Sequence, residues 1–265
     1  MGTMIDQPFG PPVASVPLPD SPLVFVVTQI RFPLVTSIND PAFVGPFQER
    51  IRRTYGDLRQ DNEIRVTLGP DGAQNQQRGS VWRFSDEPGG WEVALAPEFI
   101  ALATHRYTSR SDFMGRLGAL LEAFDAWLQP AKVRRLGVRY IDRIGGDHLQ
   151  SIDRLVRPEV LGPGLVHDPP DGRLQQTLTD SEYRFADETG LRTRWGVLPP
   201  RTTFDPAIDP WDDPSWVLDI DAWHDERPFD PTAIRQQVRD FSDRIYRYFR
   251  WVVTEDFLTT FGAVP

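Results

Sequence analysis

The sequence predicts an α+β fold of two tandem β-α-β-β-β-α repeats, each a mainly antiparallel sheet covered by a long helix, related by a pseudo-twofold axis. Three observations carry this prediction. Residues 133–144, VRRLGVRYIDRI, alternate as a strand does: Leu136, Val138, Tyr140 and Ile144 fall on one face, Arg135, Arg139 and Arg143 on the other with Gly137 and Ile141. This strand stands midway along the chain, directly after an amphipathic helical stretch, and opens what reads as a second copy. Two hairpins share a local pattern, Arg83-Phe84-Ser85-Asp86-Glu87 with Gly89 and Arg184-Phe185-Ala186-Asp187-Glu188 with Gly190. On either side of them the order of elements also repeats. The implied boundaries are a flexible proline-rich arm at 1–21, one repeat at 22–130 and a second at 132–258, packed together as one globular unit.

In the first repeat, the arm carries Pro8, Pro11, Pro12, Pro17 and Pro19 with no helical or strand period. Residues 23–32, LVFVVTQIRF, are rich in β-branched and aromatic side chains and lie between Pro22 and Pro33, as a buried strand would. Asn39 or Asp40 caps a short helix with Pro41 at its first position and Phe43, Phe47 and Ile51 at spacings of four. Residues 64–68 read as a brief strand and GPDGAQNQQRG after it as a polar turn region. Residues 81–85 and 91–95 flank DEPGG, whose Pro-Gly-Gly chemistry suits a hairpin, and residues 99–103 extend it. From Ser111, the residues Phe113, Leu117, Leu120, Leu121, Phe124, Trp127 and Leu128 keep helical spacing until Pro130 ends the run.

In the second repeat, residues 151–157 give a short helix stopped by Pro158, and PEVLGPGLVHDPPDG an irregular loop. Residues 173–178 and 182–186 read as strands, and DETG turns the chain into another at 191–198. The proline spacing of PPRTTFDPAIDPWDDPS excludes regular structure, and loops of that length in a compact domain often carry function. WVLDID at 216–221 alternates as a strand. Asp230 then caps a helix that begins at Pro231 and lines up Ile234, Val238, Phe241, Ile245, Phe249 and Val252 on one face.

Composition narrows the function classes. A net charge of -9 opposes general attraction to nucleic acid or anionic membrane. No cysteine is present, so a disulfide scaffold, a thiolate nucleophile and a cysteine metal site are excluded, and a cytoplasmic location is expected. No window holds the roughly 20 apolar residues that span a bilayer, and no secretory signal is evident. The sequence also lacks a Walker phosphate loop, a GxGxxG after a strand, HExxH and GxSxG. The histidines at 105, 148, 167 and 224 show no paired metal spacing.

The chain resembles a sporadically distributed family of conserved bacterial proteins of unknown function. The segments that carry the resemblance are PLVFVVTQIRFP, the Trp82-Arg83-Phe84-Ser85 hairpin, TSRSDFMGRLGALLEAF, RLGVRYIDRI and the late strand and helix WVLDIDAWHDERPFDPTAIRQQVRDFSDRIYRYF. RLGVRYIDRI is the most specific. The resemblance implies a stand-alone bacterial protein and supplies no catalytic residues.

Three groups of residues are candidates for chemistry or binding. Arg31, Arg139 and Arg143 present guanidinium forks that match a carboxylate or phosphate, with Arg31 and Arg139 expected at a shared seam between the repeats. Asp219 and Asp221 share a strand face and could approach one metal ion or act as an acid and base pair. Trp211, in the proline-rich loop, and Trp223, just beyond a strand, are not obviously needed for a core and are candidate interface anchors. The leading expectation is a non-enzymatic binding module with no catalytic residues and no cofactor, recognising a protein partner or ligand at the inter-repeat junction, in the manner of an immunity or antitoxin protein. The alternative is an enzyme or sensor for a small anionic ligand held by the arginines.

Overall fold

A computed structural model describes residues 7–69, 72–87, 89–165 and 171–263, with the side chains of 62–69, 72–78 and 164–165 outside the description. The α+β class is as expected, but the strands assigned to two sheets form a single nine-stranded antiparallel one. Its strands are β1 (Leu23–Arg31), β2 (Asp57–Gly69), β3 (Gly72–Ser85), β4 (Trp91–Ala96), β5 (Phe99–Thr104), β6 (Lys132–Gly145), β7 (Thr179–Arg184), β8 (Gly190–Leu198) and β9 (Ser215–Pro228). They are ordered β2-β3-β4-β5-β1-β6-β9-β8-β7. The α-helices are α1 (Pro41–Ile51), α2 (Arg110–Asp125), α3 (Asp147–Gln150), α4 (Ile152–Leu155), α5 (Pro231–Val252) and α6 (Glu255–Thr260).

The chain divides into two units whose limits differ from the expected repeats. One comprises Met1–Val26, Val138–Trp223 and Arg239–Pro265, the other Val27–Gly137 and His224–Val238. The boundary therefore passes through β1, β6, β9 and α5. Strands of nine and fourteen residues are long enough to serve two cores, which a cut at a single sequence position does not anticipate.

In the unit built on Val27–Gly137, α1 starts where the sequence signals place it, and α2 starts at Arg110, one residue before the expected Ser111. The Asp40 carboxylate accepts the Ala42 amide at the start of α1, and the Ser109 hydroxyl accepts the Asp112 amide at the start of α2. The aromatics on these helices meet: Phe47 lies 6.3 Å from Phe124 and 5.1 Å from Trp127, whose indole N–H donates to the Phe43 carbonyl at 3.1 Å. The β3–β4 hairpin closes on Asp86, which accepts the amides of Gly90 and Trp91, both at 2.9 Å. The polar stretch after residue 69 is a correction. From Gly72 it is strand, paired with β2 from Gly69↔Gly72 onward, because a backbone ladder at a sheet edge requires no apolar side chains. The reversal itself, at 70–71, lies outside the described residues.

In the unit built on Val138–Trp223, α5 covers one face of the sheet. Its Ser242 receives the Tyr140 hydroxyl at 3.3 Å, and its Tyr248 donates to Thr193 at 3.3 Å. Ile144, Leu218, Ile220, Phe241, Ile245 and Phe257 are buried there. The expected strand at 173–178 is absent: Leu174 and Leu178 are exposed, and β7 begins only at Thr179. Residue 177 still reaches β8, its amide bonding to Val197, but a Cβ on Gly196 would stand 2.1 Å from the Thr177 carbonyl oxygen. Only glycine allows that approach, and the close crossing replaces regular pairing. Of the irregular stretch 158–172, residues 166–170 lie outside the described residues, and the part before them holds two short 3₁₀ turns, Pro158–Val160 and Gly162–Leu165. The described part of the arm lies against this unit: Phe9 packs among Tyr183, Phe185 and Tyr248, and the Val16 amide donates to Tyr246.

Candidate functional site

β6 carries side chains on two faces, and both are covered. Leu136, Val138 and Ile144 are buried on the helix side, as the alternation predicts. On the other face Ile141 is fully buried and Arg143 is 2% exposed. In the unit containing them, the cover is the proline-rich loop at 199–214, with Ile208 buried beneath it.

Four charges bind that loop to the sheet. Arg139 donates bidentately to Asp219, Nε to Oδ1 at 2.7 Å and Nη2 to Oδ2 at 3.1 Å, and its Nη2 also reaches Asp205 of the loop at 2.9 Å. Arg194 of β8 contacts the same two carboxylates, Asp219 at 2.6 Å and Asp205 at 3.6 Å, and stacks on Phe204. Burial would lower the affinity of Arg139 for its proton, but Asp219 and Asp205 outweigh it and raise it. Burial likewise pushes the Asp205 carboxyl up, and the Ala207 amide with Arg139 and Arg194 brings it below its ordinary value. Two guanidiniums against two carboxylates leave the group neutral.

Arg143 is held differently. Its Nε donates to Ser215 at 2.9 Å, Nη1 donates to the Asp209 carbonyl, and the Trp211 ring lies 4.3 Å from the guanidinium carbon. Nη2 is buried without a partner, and burial lowers its proton affinity. Its chain neighbour Asp142 points to the helix side, buried, with no hydrogen bond or ion pair among the described residues. Burial pushes that carboxyl up to about 7.

The structure thus gives the predicted residues these surroundings. Asp219 is 2% exposed and spent on Arg139 and Arg194. Asp221 lies opposite Arg192 in the β8–β9 register. Among the described residues no group of three or more metal-ligating side chains comes together. Trp211 is half-buried over Arg143 and Gly145. Trp223 is only 6% exposed, its ring set against Gly190 where a Cβ would stand 2.4 Å away, with Arg184 over it at 4.9 Å. Neither tryptophan is the open anchor its sequence position suggested. Arg31 is exposed in the other unit, bonded to Gln29 and 5.9 Å from the Phe99 ring centre. Arg194 was missed by the sequence reading. The signal lay in Arg192 and Arg194 alternating on a strand, since Arg194 and Asp219 are direct register partners.

A second place, also missed, lies between α1 and α2. A cleft of about 580 Å³ is lined by Arg50, Thr54, Tyr55, Ser111, Asp112 and Arg116, with Ile51, Ala119 and Leu120 as its apolar part and Gly115 on its wall. Arg116 pairs with Asp112 at 3.2 Å, approaches Asp86 at 3.8 Å and stacks on Trp91 at 4.4 Å. Burial pushes the Tyr55 phenol up, partly offset by the neighbouring Arg116, and its hydroxyl is sealed from water without a bond of good geometry. No atom outside the helix backbone lies within 4 Å of where a Gly115 Cβ would be. The missing side chain of Gly115 leaves this space open. Helical periodicity marks the apolar faces that pack, but not the gap beside them.

The chain matches no family model, and no curated protein matches it significantly. The class defined by fold and geometry is an α+β protein with one broad antiparallel sheet, a neutral ion group under a loop and an open polar cleft between two helices.

Proposed function

We propose that the protein is a non-enzymatic binding module that takes a small organic anion in the α1–α2 cleft. One observation carries the reading: the cleft pairs cationic and hydroxyl donors with an apolar wall. Arg50, in the last turn of α1, makes no ion pair among the described residues, so its guanidinium is available to a carboxylate. Arg116, Thr54 and Ser111 stand around the same space, and Ile51, Ala119 and Leu120 suit a ring or short alkyl group. The carboxylates first considered for acid and base work, by contrast, include Asp219, already neutralised by two arginines.

The test is an amide NMR titration with benzoate, which carries both an acid group and a ring. Shifts are expected at Arg50, Thr54, Tyr55, Ser111 and Gly115, and Arg50→Ala should weaken binding at least fivefold. Gly115→Leu should abolish it by filling the open space. The same change should stabilise α2 by roughly 0.5–1 kcal/mol, because glycine is a poor helix former. Benzoate shifts that survive Gly115→Leu, or that map elsewhere, refute the reading.

A duplication of one ancestral unit fits the same geometry. In each hairpin an aspartate braces the turn and a helix arginine reaches it: Arg116 approaches Asp86 and stacks on Trp91, while Arg244 bonds to Asp187 at 2.9 Å and stacks on Phe185 at 4.1 Å. The strand order supports it too. Outward from β1 and β6 run β5, β4, β3 on one side and β9, β8, β7 on the other, with β2 the unmatched extra.

A further inference from the structure

The proline-rich arm is seated on its unit in a way that specifies what the surface beneath it recognises. Phe9 enters a slot of aromatic rings, 5.0 Å from Tyr183 and 5.1 Å from Phe185, both edge-on, and 5.7 Å from Tyr248. Beyond Phe9 the surface reads main chain. Arg247 Nη1 donates to the Gly10 carbonyl at 3.1 Å. The Tyr246 hydroxyl accepts the Val16 amide at 2.8 Å and donates to the Ala14 carbonyl at 3.3 Å. The intervening Pro11, Pro12, Ser15 and Pro17 remain exposed. One aromatic side chain and three backbone groups therefore define the fit: Phe9 is presented on a turn in which the Gly10 amide donates to the Gln7 carbonyl at 3.3 Å, and from Pro11 to Pro17 the proline-rich spacing favours an extended chain.

We propose that this groove, made by Tyr183, Phe185, Tyr246, Arg247 and Tyr248, is a peptide-binding site occupied in cis by the chain's own arm. Its ligand in trans is a partner's proline-rich segment that presents one aromatic residue on a turn and continues as an extended chain. Such segments are recognised by aromatic-lined grooves because they are ordered before they bind. The chemistry of the occupant is read directly from the arm that occupies the site. The arm is shallow, with most of its residues facing solvent, so it is held by few contacts and can lift. Tethering gives it an effective concentration on the order of millimolar, so it sets the affinity a partner must exceed. The groove shares no residue with the α1–α2 cleft, and the two proposals stand or fall separately.

The test uses the full chain and a fluorescein-labelled peptide of residues 5–20, followed by anisotropy. The Phe9→Ala chain, whose own arm has lost its anchor, should bind the peptide at least tenfold more tightly than the natural chain. A peptide carrying Phe9→Ala should bind at least tenfold more weakly, and Tyr246→Phe added to the Phe9→Ala chain should also weaken capture. No saturable binding to the Phe9→Ala chain overturns the proposal, as does equal binding of the two peptides. Should Phe9→Ala impair folding, hydrogen exchange at the Val16 amide of the natural chain decides: excess unlabelled peptide should accelerate it, and an unchanged rate overturns the proposal. A natural chain that sediments as a dimer and becomes monomeric on Phe9→Ala would show arms exchanged between copies, and would overturn the partner reading.

Discussion

Replacing Asp142 by asparagine isolates the cost of a lone carboxyl in the core. Its folded value of about 7, set by burial, compares with an ordinary value of 3.8. Below about pH 4 both folded and unfolded chains hold the proton and the site costs nothing. Between about 4 and 7 the unfolded chain releases it while the folded one retains it, so stability falls as pH rises. Above about 7 both are ionised and the loss is complete. A displacement of about three pH units corresponds to about 4 kcal/mol, a large part of the 5–15 kcal/mol typical of a folded domain. Asparagine keeps the shape and cannot ionise. Urea denaturation of both proteins at pH 4.5, 6 and 8 should therefore give a stability difference that moves in the variant's favour by about 3 kcal/mol from the lowest pH to the highest, because about 1 kcal/mol of the loss already lies below pH 4.5. A difference that does not change with pH would mean that the carboxylate has found a counter-charge, and the reasoning would fail.

Two further outcomes follow from burial and pairing. Asp219→Ala leaves Arg139 and Arg194, 16% and 18% exposed, with one carboxylate, Asp205, between them, and should cost about 3–5 kcal/mol in chemical denaturation. Asp221→Ala should cost much less, and equal costs would refute the assignment of Asp219 as the centre of the ion group. Trp223→Ala removes a buried ring from Gly190 and Arg184 and should cost about 3–5 kcal/mol; a melting temperature within a degree of the natural protein would restore Trp223 as a surface anchor.

Much of the element order could be read from local chemistry, because its signals are local. Asp40 caps the helix it precedes, Pro41 and Pro231 stand at first helical positions, and β3 pairs antiparallel with β4 as the expected hairpin requires. What escaped the sequence depends on partners distant along the chain. Residues 173–178 have strand composition, yet the Gly196 crossing prevents regular pairing. The polar 72–79 stretch has turn composition, yet a neighbouring strand recruits it. Arg139 looked like a ligand clamp because one strand shows only its own face, and the Asp219 and Asp205 that occupy it arrive from 80 and 66 residues later. The α1–α2 cleft was invisible for a related reason: it is a space between two correctly expected helices, marked only by the missing side chain of Gly115.

The loop at 199–214 does for one sheet face what a helix does for the other, without a helix's internal hydrogen bonds. An irregular roof normally presses amide hydrogens against apolar side chains that cannot receive them. Here Pro199, Pro200, Pro206, Pro210 and Pro214 have no amide hydrogen to place. A composition that resembles a linker is thus what makes the segment compatible with lying on a core. Each proline exchanged for another residue would introduce a donor in search of an acceptor, while leaving every named contact of the roof in place.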